Sequence, residues 1–268
     1  MKLNKFVFLI LLVIILPVGC TENKGTEFES IQQSIVANSK NETNNNTLLT
    51  NNLIQKINNE FDVSNKESGT YKEREQHWKN GLSLFCKFLT TDEAIDFDDK
   101  KLESTFSRQI RRINIAPMLS LYSVSAPSSL GQLGEYWWCI KDGKEAELIN
   151  EGCAEIVEDV KTIKKSDKLY LILIGHSKLY SPMPVFLGVW SKDKNKWIPV
   201  KQTSDNLYSS SNYTFDLTEN YIYIRKNGYL GSLKIGFDFE NIIINQEDHS
   251  DYTSFSLSNS GLLMFKHN

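Results

Sequence analysis

Apolar side chains recur every three or four residues through the first part of this chain and fall into short, turn-bounded runs afterwards, which predicts helices followed by strands. Trp78, Leu82, Phe85 and Leu89 trace one helical face. A second helix is expected from about Asp99, capped by Asp98, with Leu102, Phe106, Ile110 and Ile113 on one stripe and Pro117 as its end. Leu49, Leu53, Ile57 and Phe61 fall four apart and can line one short amphipathic helix. After Pro117 come β-rich runs at Met118–Ser125, Glu135–Lys141, Glu145–Asn150, Lys168–Ile174, Val185–Ser191, Lys196–Val200, Tyr221–Arg225, Ser232–Asp238, Ile242–Asn245 and Thr253–Leu257. Asp142-Gly143, Asp193-Lys194-Asn195 and Asn227-Gly228 join neighbouring runs at hairpin distance, so the strands should be largely antiparallel.

One run does not alternate. Leu169 to Ile174 is apolar at every position, and successive side chains of a strand point to opposite faces, so that strand must be covered twice. The expected covers are the two helices on one side and a second layer of sheet, or a curled continuation of the same one, on the other. The fold class is therefore α+β: N-terminal helices packed on a mainly antiparallel sheet of many short strands. The hairpins 185–200 and 221–238 agree in outline but not in residues, which leaves a propeller fragment as the weaker architecture.

The N-terminus carries a different pattern. Lys2 and Lys5 precede thirteen largely apolar residues, Phe6–Val18, and Gly19-Cys20 is followed at once by Thr21, Glu22, Asn23 and Lys24. A span of this length is too short to cross the roughly 30 Å hydrocarbon core as a helix, and the layout is that of a secretory signal. Leu16-Pro17-Val18-Gly19-Cys20 resembles the bacterial lipoprotein signal, with Pro17 where that family prefers Leu. The resemblance covers about twenty residues and concerns address alone. It implies cleavage before Cys20, acylation of that cysteine, and a mature protein tethered to the cell membrane or envelope. An uncleaved anchor, or a plain signal peptide with Cys20 incidental, is the alternative.

Composition then bounds the rest. Loss of residues 1–19 leaves 28 basic against 33 acidic residues, a formal charge of −5, which offers no cationic footprint for nucleic acid. With 40% hydrophobic residues the chain can bury a core. Residues 21–60 hold ten asparagines and, before Phe61, only Phe28 as an aromatic, a composition that buries too little apolar surface to offset ordering entropy. The organisation expected is a signal peptide over 1–19, an acylated cysteine and Asn-rich tether over 20–69, and one α+β domain over 70–268.

With Cys20 acylated, Cys86, Cys139 and Cys153 remain. In an oxidising compartment Cys139 and Cys153 could close a small loop between two predicted strands; three buried thiols are the other outcome.

Several patterns suggest chemistry and then fail to specify it. Gly175-His176-Ser177 follows the buried strand, but Leu179 stands where a nucleophile elbow needs its second glycine, and Pro182 and Pro184 forbid an immediate helix. A calcium loop counted from Asp96 meets Lys101 at its glycine position and Ser107 at its bidentate glutamate position. The histidines at 77, 176, 249 and 267 never fall at i,i+4 and no cysteines fall at CxxC spacing, so neither a metal nor another cofactor is expected. Arg108, Arg111 and Arg112 would share one helical side, either as a solvated face or as a receptor for an anionic headgroup or carboxylate. Tyr136, Trp137 and Trp138 are consecutive on a predicted strand, so at least one must face away from the others, offering an aromatic binding surface unless both faces are covered. The polar loop 126–134 beside them is a candidate rim.

These observations favour a membrane-tethered envelope lipoprotein acting as a non-catalytic binding or scaffolding module, with a protein or glycan partner. The alternatives are an envelope hydrolase built around His176 and an inhibitor or immunity lipoprotein. No motif fixes a reaction.

Overall fold

The computed structural model describes residues 47–66, 68–130, 136–153, 155–177, 184–201, 213–218, 221–228, 233–238, 241–246, 252–258 and 263–267. The expected signal segment and Cys20 therefore lie outside the described residues, as do most of the expected tether and positions 131–134 of the candidate rim. Thr50–Asn268 forms one compact unit.

Among the described residues, three α-helices open the fold. Helix α1, over 47–65, comes from the four-residue stripe: Ile57 and Phe61 are buried, whereas Leu49 is exposed. The compact unit begins at Thr50 and so includes α1, which the expected domain over 70–268 leaves out. Helix α2, Tyr71–Leu89, begins with a reciprocal capping box in which Thr70 and Glu73 satisfy each other's backbone N–H groups. It buries Trp78, Leu82, Phe85 and Leu89 as the periodicity requires, and Cys86 and Phe88 with them. Gly81 sets its approach to α1, because a Cβ there would stand 2.6 Å from the Phe61 ring. Helix α3 covers only Asp99–Phe106, capped by Asp98, which accepts from the Lys101 N–H at 2.8 Å.

The chain leaves α3 through Ser107 at φ 50 and enters strand β1, Ile110–Ala116. The expected helical stripe through Ile110 and Ile113 is thereby corrected. Residues three apart share a helix face but occupy opposite faces of a strand, and Ile110 packs with the helices while Ile113 packs on the next sheet.

Fourteen strands are described in three antiparallel sheets. The first runs β1-β2-β3-β4, with β2 Leu119–Ser125, β3 Tyr136–Asp142 and β4 Glu145–Cys153. The second runs β5-β6-β7-β10-β9, with β8 paired to β7; its members are β5 Glu155–Lys165, β6 Lys168–Ser177, β7 Val185–Asp193, β8 Lys196–Pro199, β9 Tyr213–Leu217 and β10 Tyr221–Lys226. The third is β11 Leu233–Asp238, β12 Asn241–Gln246, β13 Tyr252–Leu257 and β14 Leu263–His267, in that order.

Three cores make this a four-layer stack. Helices and first sheet share Trp78, Phe85, Phe106, Tyr122, Val124 and Trp137. First and second sheets share Leu121, Trp138, Ile140, Leu171, Leu173, Phe186 and Trp190. Second and third sheets share Ile172, Ile174, Leu187, Ile222, Ile244 and Phe255. The run Leu169–Ile174 is covered on both faces as expected, but by two sheets: Leu171 and Leu173 face the first, Tyr170, Ile172 and Ile174 the third. The helices lie one layer further out, because the first sheet has two apolar faces of its own. At the start of the second sheet, Gly175 admits the carbonyl of Ile156 only for want of a Cβ, which would stand 1.9 Å from that oxygen.

Candidate functional site

The β3–β4 hairpin turns at Gly143 and Lys144, with Gly143 at φ 63, and the β7–β8 hairpin turns at Lys194 and Asn195, with Lys194 at φ 54. These two turns meet because side chains fifty residues apart bind across the layers. Lys192 pairs with Asp142, Asn195 donates to Glu145 Oε1 at 2.7 Å, and the Trp197 backbone N–H donates to Glu147 Oε1 at 2.7 Å. The C-terminal turns of α2 close the third side.

Between them is a cleft of about 530 Å³. Ile140, Leu148, Cys86 and Trp197 supply its apolar lining, and Lys87, Lys144 and Lys196 stand exposed around it. Each cleft carboxylate already accepts from the β7–β8 hairpin, whereas these three ammonium groups have no hydrogen-bonded or ionic partner among the described residues. The cleft therefore presents an apolar wall with uncommitted cations, suited to a ligand or peptide segment carrying both apolar surface and an anionic group. Nearby, burial lowers the Lys141 pKa, with repulsion from Arg112 adding to the effect and Asp92 opposing it.

The aromatic strand is not an open surface. Trp137 is 4% exposed and meets Trp78 edge-on at 6.3 Å in the helical core, and Trp138 is 0% exposed against Phe186 and Tyr221 in the core between sheets. Their opposite orientation is as the strand geometry demands, but each face has its own cover. The Tyr136 side chain lies outside the described residues. In the rim loop, Pro127 and Leu130 are buried and Ser129 donates to the Ser64 carbonyl at 2.7 Å, tying that segment to α1.

The three arginines do not form one patch. Arg108 donates to the Phe61 carbonyl at 3.0 Å and sits within 6 Å of the Phe61 and Trp78 rings; burial lowers its pKa against the opposing influence of Asp62. Arg112 holds Asp99 at 3.6 Å and the Phe97 carbonyl at 3.4 Å, fixing the start of α3. Arg111 alone is exposed, on the other face of β1 from Arg112.

His176 Nδ1 lies 2.7 Å from Glu158 Oε1, and Glu158 is the extra residue of a bulge between Val157 and Asp159. The Ser177 side chain lies outside the described residues. His176 pairs with Val185, at the far end of β6 and β7 from the cleft. Among the described residues no group of three or more histidine, cysteine or acidic side chains is placed to hold a metal, and no helix is long and apolar enough to cross a membrane.

The expected Cys139–Cys153 bridge is not formed. The β3–β4 register sets Cys139 opposite Leu148 and Cys153 opposite Tyr136, about 10 Å apart along the strands, beyond the roughly 7 Å Cα limit of a disulfide. Cys139 is instead a free buried thiol, and the influence of the Cys86 thiol on α2 first, then burial, raises its pKa well above the ordinary thiol range.

The sequence pattern missed Lys87, Glu147, Lys196 and Trp197 as partners in one site. Its only signal there was the pair of turn motifs, Asp142-Gly143 and Asp193-Lys194-Asn195. Comparison of the chain with protein-family models, with curated proteins and with solved structures gave no match.

Proposed function

We propose that this chain is a lipid-anchored protein of the cell envelope whose α+β domain binds or scaffolds a partner through the cleft between α2 and the two hairpins. The address rests on the Leu16–Cys20 segment and its flanks. The binding role rests on the cleft: its carboxylates join the hairpins while Lys87, Lys144 and Lys196 have no partner among the described residues and surround an apolar wall. The partner is a protein or glycan of the envelope that offers an apolar segment beside an anionic group. Two acyl chains, at about 0.8 kcal/mol per buried methylene, suffice for durable tethering.

The address is tested by Cys20→Ser. The variant should accumulate as an unacylated precursor, and detergent-phase partition of the processed domain should disappear. Unchanged cleavage and membrane fractionation would overturn it.

A second reading, an envelope hydrolase, draws on the 2.7 Å pair of His176 and Glu158, which supplies a base and its orienting carboxylate. Loss of hydrolysis of an envelope ester or amide in His176→Ala, with folding intact, would favour it over the binding role.

A further inference from the structure

The cleft touches both faces of the first sheet. Cys86, Ala146 and Leu148 belong to the core under the helices, whereas Ile140 and Trp197 belong to the core between the sheets. One cavity reaches both cores only by passing around a margin of the sheet, and its lining stretch Lys144–Leu148 is such a margin: the turn and the start of β4, the last strand in the order β1-β2-β3-β4. Gly143 at φ 63 opens a two-residue turn whose flanking pair, Asp142 and Glu145, exchanges both backbone bonds. The alternation that follows gives the next bonded pair to Ile140 and Glu147, and it turns the N–H and C=O of Ala146 and Leu148 to the free edge. Those edge groups have no partner among the described residues. Other edges are guarded: β5 carries a bulge at Glu158 with Lys161 and Lys164, and β1 carries a register shift between Asn114 and Ala116 with Arg111 and Arg112. From Glu145 to Leu148 the register of β4 is regular, and its two charged side chains are bonded into the β7–β8 hairpin.

We propose that an extended, acidic segment of a protein partner adds to the edge of β4 as a further strand, with α2 over one of its faces and β8 under the other. This rests on the cleft as the binding site and narrows its occupant to a polypeptide, because a glycan lacks the regular alternation of N–H and C=O that the edge of β4 matches. Main-chain bonds to Ala146 and Leu148 supply affinity, and alternate side chains supply selectivity. One set of side chains packs toward Cys86 and Leu148, the other toward Ile140 and Trp197. The stretch Glu145–Leu148 is roughly 10 Å long, which takes about four residues of an added strand. Acidic side chains on that segment pair with Lys87, Lys144 and Lys196, which stand exposed around the cleft and have no partner among the described residues.

The test pans a library of random octapeptides on the full chain immobilised in detergent, with the Lys87→Glu chain for counter-selection. Enriched peptides should carry an acidic residue and alternating apolar positions. Each is then resynthesised with N-methyl groups on its odd or on its even residues. Only one of the two patterns blocks the N–H groups that face β4, so it should weaken binding about tenfold or more and the other less than about threefold. Ala146→Pro, which removes an N–H that points outward, should weaken the same peptides about tenfold while urea unfolding shows a folded domain. The methylation comparison needs no variant to fold. Equal losses from both patterns, or none from either, overturn strand addition and leave the cleft as a site that binds through side chains. Enrichment of no peptide that discriminates against Lys87→Glu also overturns it, and photocrosslinking in envelopes from positions 144 and 196 then reads the binding role separately.

Discussion

Trp138→Ala is the sharpest perturbation of the layered core. The side chain is fully enclosed between the first and second sheets, with ring centroids 5.8 Å from Phe186 and 5.7 Å from Tyr221. A tryptophan buries about 150–250 Å², which at ~25 cal/mol/Å² gives an upper bound of about 4–6 kcal/mol. Measured losses for large aromatic truncations cluster at about 3–5 kcal/mol, because the cavity relaxes only in part. For a domain of this size that is a fall in Tm of roughly 10 °C. Trp138→Phe keeps a ring and removes an indole N–H that has no partner among the described residues, so its loss should be smaller, about 1–2 kcal/mol. Trp137→Ala should also lose about 3 kcal/mol or more, since the helices cover that face. Urea unfolding of the three variants reads these values directly. A loss under about 1 kcal/mol in either alanine variant would mean that one face of β3 is open and that the stack of helices and sheets is wrong.

Other outcomes follow from particular contacts. Gly175→Ala places a methyl against the Ile156 carbonyl and should cost about 3 kcal/mol or more in urea unfolding; a neutral result would contradict the close β5–β6 crossing. Limited proteolysis should leave a resistant fragment beginning near residue 50, because Ile57 and Phe61 anchor α1 in the core; a fragment beginning near 70 would show α1 to be dispensable. Cys139 holds its proton more tightly folded than unfolded, so in reductant its contribution is fully present below the unfolded thiol pKa near 9 and is lost as pH rises above it. Stability from pH 8 to 10 should therefore fall more steeply in the native chain than in Cys139→Ala, and equal slopes would refute the assignment.

Local order was legible wherever one periodicity dominated. The α2 stripe, the Asp98 cap and most strands follow from spacing and turn residues. Ile110 and Ile113 misled because a three-residue interval fits a helix face and two strand faces equally well, and only the left-handed Ser107 breaks the tie. The apolar run 169–174 announced a twice-covered strand without naming the covers, since hydrophobicity carries no address for its partner. The consecutive tryptophans announced two faces in the same way, and burial of both required knowing that each had its own layer. The cleft was the least legible feature. Its defining bonds join Asp142 to Lys192, Glu145 to Asn195 and Glu147 to the Trp197 backbone N–H, polar groups fifty positions apart in and beside ordinary turn sequences. Cys86 and Cys139 were separable from Cys153 only through strand register.

The central claim is that the cleft is where this protein meets its partner. Photocrosslinking residues placed singly at 144 and 196 test it against one at exposed Lys72, in the first turn of α2 and far from the cleft. In envelopes, positions 144 and 196 should yield the same crosslinked species, position 72 none, and Lys87→Glu should reduce the yield about tenfold or more without changing Tm. Equal crosslinking at position 72, or yields at 144 and 196 that ignore Lys87→Glu, would contradict the account.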